Sequence, residues 1–174
     1  MALPAILVLA SGRGRRFLAS GGSGNKLDAE LHGKPLLQHT LDAVRASGLP
    51  WHLERGAHDG MGDSIAAAVR ATATAPGWLI LPADLPLIQP ATLRLLARAA
   101  QPGQIVRPVH QGQRGHPVRF PARLGPQLMQ LHGPNGAAAL LSQEEVIALP
   151  VQDAGCITDV DTLDDLMRLA RQSR

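Results

Sequence analysis

Aromatic residues are scarce in this sequence, which has no Tyr, two Phe and two Trp among its 174 residues. Proteins that hold single-stranded nucleic acid rely on aromatic side chains that stack on the bases. The chain has too few for such a surface, so its formal net charge of +3 fits an anionic small ligand better than a nucleic acid. Its core must consist of Leu, Val, Ile and Ala, as in sheets covered by helices.

Cysteine and long apolar runs are also scarce. The single Cys156 excludes an internal disulfide and a multi-cysteine zinc site, and no pair of the seven His has zinc-binding helical spacing. The apolar run from Leu3 to Leu9 is too short to span a membrane. The basic cluster follows that run, whereas a signal peptide carries its charge first. We therefore expect a cytoplasmic protein without a membrane segment.

Short apolar runs alternate with amphipathic stretches along the chain. The length fits one domain, residues 1–174. The alternation predicts an α/β fold, a three-layer sandwich around a mainly parallel, Rossmann-like sheet. The predicted strands are Pro4–Leu9, Trp51–Glu54, Trp78–Leu81, Gln104–Val109, Pro117–Phe120 and Val146–Val151. The predicted helices are Pro35–Gly48, one capped by Asp63 or Ser64, Pro90–Ala100, two short ones near 126–131 and 136–141, and Thr162–Arg171 with a capping box to Asp165.

Charged residues concentrate in three segments that follow predicted strands. They are the loop 10–26, the segment PADLP at 82–86 and the loop before the last helix. Because ligands of open α/β sheets bind at the carboxyl ends of the strands, these segments are the expected binding site.

The loop LASGRGRRFLASGGSGNKL, residues 9–27, matches neither common phosphate motif. Phe17 stands where the dinucleotide fingerprint G-x-G-x-x-G needs its third glycine, which disfavours an NAD(P)-dependent oxidoreductase. Lys26 is followed by Leu27, whereas a P-loop lysine is followed by Ser or Thr. Exposed backbone N–H groups after a strand can still hold an anion. The spacing alone leaves phosphate binding and a mobile basic loop equally open.

Six motifs, in order, resemble the MobA-like nucleotidyltransferase family. The first combines LASG at 9–12, RF at 16–17, NKL at 25–27 and GKPL at 33–36. The others are GMGDSIAAAV at 60–69, LPADLPLI at 81–88, RGHPVRF at 114–120, GPNGAAALL at 133–141 and DVDTLDDL at 159–166. The last motifs are most similar to the branch that cytidylylates the molybdenum cofactor.

This resemblance implies a fold and a reaction. The fold is that of the nucleotide-diphospho-sugar transferases. The reaction moves a nucleoside monophosphate, expected to be CMP from CTP, onto a phosphorylated molybdopterin-type acceptor and releases pyrophosphate. Such a transfer needs a clamp on the triphosphate, a divalent cation, here Mg²⁺, and an aligned acceptor. A molybdoenzyme apoprotein would be a further partner.

The resemblance also assigns roles to catalytic and metal-binding residues. Lys26 would neutralise the nucleotide phosphates and Arg16 would hold the leaving pyrophosphate. Asp84, at a strand end between two prolines, suits Mg²⁺. Asp161 resembles the second metal ligand, with Asp159 as the weaker candidate, although either could simply cap the last helix.

Further residues are assigned to nucleotide and acceptor binding. Leu9, Ala10 and Gly12, together with Lys26, belong to the opening signature. Gly62 and Ser64 would face the base or ribose, with a plain helix cap as the alternative. His116 would line the acceptor or base site.

Two alternatives stay open. The segment 48–59 is shorter than in the family and could lack one βα unit, which favours a non-catalytic molybdenum cofactor carrier. A sugar-phosphate nucleotidyltransferase of the same fold is the other alternative. Retention of both Lys26 and Asp84 favours an enzyme over a carrier.

Overall fold

A computed structural model describes residues 2–12, 14–100 and 103–172 of the chain. The helices are α1 (Arg15–Ala19), α2 (Leu36–Ser47), α3 (Met61–Ala71), α4 (Pro90–Ala97), α5 (Gly125–Met129), α6 (Ala138–Gln143) and α7 (Leu163–Ala170). The strands are β1 (Ala5–Leu9), β2 (Glu30–Leu31), β3 (Lys34–Pro35), β4 (Trp51–Glu54), β5 (Gly77–Pro82), β6 (Ile105–His110), β7 (Gln113–Arg114), β8 (Val118–Pro121) and β9 (Val146–Pro150).

The central sheet has seven strands and is mainly parallel, as predicted. Its order is β4-β1-β5-β8-β6-β7, and β9 pairs with β6. The strand β1 is parallel to both β4 and β5, and β9 is parallel to β6. The strand β8 is antiparallel to both of its neighbours, so β6 runs in the same direction as β5. The strands β2 and β3 form a separate antiparallel pair.

Helices cover both faces of this sheet and make three layers. Alternate residues of a strand point to opposite faces, so an apolar run such as AILVL must be buried on both sides. Ile6 and Val8 accordingly pack in one cluster with α2 and α4, while Leu7 and Leu9 pack in another with α3, α5 and α6. A smaller cluster forms where Phe17 of α1 and Leu166 of α7 meet.

The predicted strands all form, but several predicted helix ends were wrong. Pro35 lies in β3 and precedes α2 instead of opening it, and α4 ends at Ala97, before Ala100. Gly60 precedes α3, so neither Asp63 nor Ser64 is its cap. The Asp63 carboxylate accepts the N–H of Gly133 instead, at 3.2 Å. The loop 10–26 is not wholly irregular, because α1 forms inside it.

The short segment 48–59 supplies one strand. The edge strand β4 follows α2 directly, and residues 55–60 then lead into α3. In the part of the chain that the structure describes, no helix is long and apolar enough to cross a membrane.

Candidate active site

Three carboxylates meet at the carboxyl edge of the sheet. Asp84 follows the end of β5, and Asp159 and Asp161 precede α7. One oxygen of each lies within 4.8 Å of the others. The two segments are far apart in sequence, so the fold creates this cluster, as expected for Asp84 and Asp161.

Three hydrogen bonds, from β1, α2 and the segment before α7, hold the backbone of Ala83 and Asp84 in place. The N–H of Ala83 donates to the carbonyl of Leu9 at 3.0 Å, which fixes the strand end beside the loop 10–26. The buried hydroxyl of Thr40, on α2, donates to the carbonyl of Ala83 at 2.7 Å. The N–H of Val160 donates to the carbonyl of Asp84 at 3.0 Å. The last bond ties the Asp84 segment directly to the chain between Asp159 and Asp161.

The start of α7 positions Asp161. Thr162 and Asp165 form the predicted capping box, in which each side chain accepts an N–H from the other's backbone. The same Asp165 oxygen also accepts the N–H of Asp161 at 3.0 Å. Asp165 therefore caps the helix and fixes the backbone of Asp161, so Asp161 itself does not cap α7.

Two basic residues from the loop 10–26 neutralise the cluster. The Nζ of Lys26 lies 3.0 Å from Asp84 Oδ2 and 3.6 Å from Asp161 Oδ1. The Lys26 side chain, at the start of a 310 turn over Lys26–Asp28, is only 13% exposed. Arg16 Nη1 lies 3.1 Å from Asp161 Oδ2, but its side chain is 78% exposed. Lys26 is thus the inner cation and Arg16 the outer one.

Gly14 lets Lys26 approach the cluster. Its φ of +61° lies in the left-handed region, and a Cβ there would come within 3.3 Å of the Lys26 Cβ. Glycine is the residue that adopts this conformation without strain. Gly12, which the resemblance assigned to nucleotide binding, has open space around it.

The carboxylates repel one another electrostatically. Burial raises the pKa of Asp84, with a further contribution from Asp161, while Lys26 opposes the rise. Partial desolvation and the charges of Asp161 and Asp84 raise the pKa of Asp159. Burial thus makes ionisation of both carboxylates less favourable, and the neighbouring carboxylates add to this effect.

This donor set fits a divalent cation. Carboxylate oxygens are the hard ligands that Mg²⁺ and Mn²⁺ prefer. Three such groups converge here, and burial, together with their mutual repulsion, raises the pKa of two of them, so a cation would offset both effects. Asp84, Asp159 and Asp161 are the residues able to hold it.

A small cavity of about 260 Å³ lies beside the loop 10–26. Its wall includes Leu9, Gly12 and Ser64, three of the residues assigned to nucleotide binding, and also His58. His58 is fixed by Glu54, which accepts hydrogen bonds from His52 and His58 at 2.9 Å each. The glycine-rich turn and the start of α3 therefore share this cavity.

A larger cavity of about 870 Å³ adjoins the first, since Leu9 and Met61 line both. Its walls come mainly from strands β5, β6, β8 and β9 and from the segment 135–142. His116 lines it, as assigned, and burial together with the charge of Arg107 lowers the pKa of His116 to about 4. The imidazole is therefore neutral at physiological pH.

The remaining assigned residues lie behind the cavity walls. Ala10 is buried, and its N–H donates to the carbonyl of Glu54 at 2.9 Å. Gly62 packs so tightly against the backbone of His132 that a Cβ would come within 2.8 Å of it. Gly62 is not among the described residues that line either cavity.

Sequence reasoning missed several residues of this site. Thr40 acts through the backbone carbonyl of Ala83, a contact that no motif reveals. The capping role of Asp165 was predicted, but its bond to the N–H of Asp161 was not, and Asp159 was considered only a weaker candidate although it belongs to the cluster. Arg107 and Arg114 both line the larger cavity, and the available signal was that Arg114 opens the RGHP motif and Arg107 lies in the strand before it. Cys156 is buried, and burial raises its pKa to about 11, consistent with no nucleophilic role.

Comparisons with known proteins identify a family for most of the chain. The family model for the MobA-like NTP transferase domain matches residues 6–50 and 43–147. No curated protein is similar enough in sequence to be matched with the chain.

Solved structures share the fold over nearly the whole chain. Rv0371c from Mycobacterium tuberculosis H37Rv has a TM-score of 0.82 at 24% identity, covering 98% of both chains. That protein has also been solved as a complex with manganese, with a TM-score of 0.79 at 23% identity, covering 99% of this chain and 100% of that chain. A nucleotidyl transferase from Methanothermobacter has a TM-score of 0.79 at 18% identity, covering 97% of this chain and 96% of that one.

Molybdopterin-guanine dinucleotide biosynthesis protein A from Archaeoglobus fulgidus has a TM-score of 0.69 at 20% identity, covering 95% of this chain and 96% of that one. Because the alignment with Rv0371c covers 98% of both chains, the two proteins share the fold over nearly their whole lengths, which gives no support to a missing βα unit.

Proposed function

The chain belongs to the MobA-like NTP transferase family, and from that premise we propose that it transfers CMP from CTP to a phosphorylated molybdopterin-type acceptor. The observation that carries the proposal is the contact of Lys26 with the carboxylate cluster at the carboxyl edge of the sheet. A nucleotidyltransferase site needs ligands for a divalent cation, a basic group for the phosphates and room for two substrates. The carboxylate cluster, Lys26 and the two cavities are the features that support the proposal on these three points. The reaction would take place in the cytoplasm.

In the proposed reaction, a phosphate oxygen of the acceptor forms a bond to the α-phosphorus of CTP. The bond from that phosphorus to the oxygen bridging to the β-phosphate breaks, and pyrophosphate leaves. A divalent cation, Mg²⁺ or Mn²⁺, held by Asp84, Asp159 and Asp161 would neutralise charge on the phosphates. That a similar protein was solved with manganese supports this assignment.

The protein's own side chains would bind and align the substrates. Lys26 would exchange its carboxylate partners for phosphate oxygens, and the exposed Arg16 would contact the leaving pyrophosphate. The smaller cavity, with Gly12 and Ser64, would hold the nucleoside, and the larger cavity, with His116, would hold the acceptor. Positioning and charge neutralisation of this kind supply most of the rate in phosphoryl-type transfers.

The test is pyrophosphate release from CTP with Mg²⁺ and molybdopterin-type acceptor. We expect Asp84→Ala and Lys26→Ala each to lower the rate by at least about 100-fold, because each removes charge stabilisation of the reacting phosphates. Asp42→Ala is the matched control, since Asp42 pairs with Lys34 in a similar way but on the surface of α2.

Each possible result points to a different conclusion. Undiminished release by either variant would contradict the mechanism. Faster release with a sugar phosphate as acceptor would favour the sugar-phosphate nucleotidyltransferase. Tight acceptor binding without release from any nucleoside triphosphate would favour the carrier.

A further inference from the structure

The larger cavity has an unusual combination of walls and charges. Most of its lining side chains are apolar, from strands β5, β6, β8 and β9 and from α6. None of the described residues that line it is an Asp or a Glu, whereas two of them, Arg107 and Arg114, are arginines. Its volume, about 870 Å³, is within the range of pockets that enclose whole organic ligands.

The two arginines face the cavity from a β-hairpin. Arg114 of β7 pairs with Val109 of β6, and Arg107 lies two residues before Val109 and therefore on the same face of the strand. Arg107 is half-buried, and its Nε donates to the carbonyl of Gly115 at 3.2 Å. This bond fixes the guanidinium against the RGHP segment.

Neither guanidinium has a carboxylate partner within salt-bridge distance among the described residues. Other arginines do: Arg123 pairs with Glu144 at 2.8 Å and Arg16 with Asp161 at 3.1 Å. Burial, with a smaller contribution from the Arg114 charge, lowers the pKa of Arg107. A desolvated cation beside a second cation is unfavourable, so an anion that paired with both guanidinium groups would bind strongly.

We infer that Arg107 and Arg114 form an anion subsite that binds a phosphate of the acceptor, while the apolar walls hold the rest of the molecule. The inference rests on the proposed function for the identity of the occupant. The neutral His116 beside Arg107 offers a hydrogen bond without adding charge. The acceptor class is thus an organic phosphate with an apolar or aromatic body.

A binding experiment with 1-naphthyl phosphate and 1-naphthol tests the subsite. The two probes share an aromatic body and differ in the phosphate, and neither needs nucleotide or metal. We expect the protein to bind the phosphate at least about tenfold more tightly, because a charge-assisted hydrogen bond contributes a factor of this size. Arg107→Gln and Arg114→Gln should each remove most of that preference and leave naphthol binding unchanged, as measured by titration calorimetry.

Two controls locate the binding. Arg98→Gln removes the same charge from an exposed position after α4 and should keep the preference. Lys26→Gln should also keep it if the phosphate binds at the arginines. Equal affinity for the two probes, or a preference lost in Lys26→Gln but retained in both cavity variants, would overturn the inference.

The outcome stays informative if one variant does not fold. Arg114 is exposed, so its replacement leaves the core intact and decides the question alone. A protein that binds naphthyl phosphate through the arginines but releases no pyrophosphate would retain the subsite and refute the transferase. An active transferase without the naphthyl phosphate preference would refute the subsite alone.

Discussion

At the scale of single residues, Lys26 and Asp84 depend on each other. Each is more than four-fifths buried, and their side chains lie 3.0 Å apart. A buried pair is costly to break from one side, because the remaining charge stays without a partner. Replacing either residue alone should therefore destabilise the fold, because the partner would be left as a buried, unpaired charge.

Asp159 should show a conflict between stability and function. Its pKa is raised, so above that pKa the ionised carboxylate destabilises the folded state. We expect Asp159→Asn to raise the free energy of unfolding at pH 7 and the gain to disappear as the pH falls through the pKa of the folded state. The same change should weaken Mn²⁺ binding by about tenfold or more, since it removes ligand charge. Urea denaturation at pH 7 and pH 4, and Mn²⁺ titration, are the measurements.

Asp164→Asn is the control for this change. Asp164 lies exposed in the first turn of α7 and outside the carboxylate cluster, so the variant should keep Mn²⁺ affinity. If Asp159→Asn lowered the unfolding free energy at pH 7, the electrostatic account of the cluster would be wrong.

At the scale of elements, the N-terminus of α7 links helix stability to the metal site. Burial opposes ionisation of Asp165, but the N–H groups of Asp161 and Thr162 lower its pKa. We expect Asp165→Ala to lower the unfolding free energy by about 1 kcal/mol, a typical cost of a lost cap. Because the folded pKa is depressed, this contribution should be present above pH 3.8 and be lost on further acidification. Chemical denaturation between pH 7 and pH 3 measures it.

The same variant should also lower Mn²⁺ affinity, because the Asp161 backbone loses its anchor. Asp164→Ala removes an equal charge from the same turn and should leave the affinity unchanged. Unchanged metal binding in Asp165→Ala would show that the cap supports the helix only.

Packing between elements also explains why the RGHP motif contains a glycine. A Cβ on Gly115 would come within 2.6 Å of the carbonyl of Cys156, and the N–H of His116 donates to that carbonyl at 2.9 Å. The glycine therefore lets the segment between β7 and β8 pack on the 310 turn at 154–157. That packing brings His116 to the cavity and connects it to the chain leading to Asp159.

At the scale of the whole molecule, substrate binding should stabilise the fold. Ligand at 100 times its dissociation constant adds about 2.7 kcal/mol. For a chain of this size, that corresponds to a rise in Tm of roughly 5–10 °C. We expect CTP with Mg²⁺ to give the largest rise among the four nucleoside triphosphates in a thermal shift assay. An equal rise for GTP or ATP would contradict CTP selectivity, and no rise for any of them would favour the carrier.

The sequence alone determined the layers, six of the nine strands in the described part of the chain, and the place of Asp84 at a strand end. An apolar run such as Ala5–Leu9 is stable only between two helical layers, and a carboxylate after a parallel strand must lie at the carboxyl edge. The capping box of Thr162 and Asp165 was also predictable, because its contacts span three residues. Local periodicity and local spacing suffice for such features.

Only the tertiary structure decided which distant groups meet. The contact of Lys26 with Asp84 spans 58 residues, and the support of Ala83 by Thr40 spans 43. Gly62 shows the same limit: the sequence suggested a nucleotide contact, whereas the structure places it against the backbone of His132. The pairing of Arg107 with Arg114 around one cavity likewise depends on a hairpin and on three packed strands. Such contacts follow from how the layers pack, and no short stretch of sequence encodes that packing.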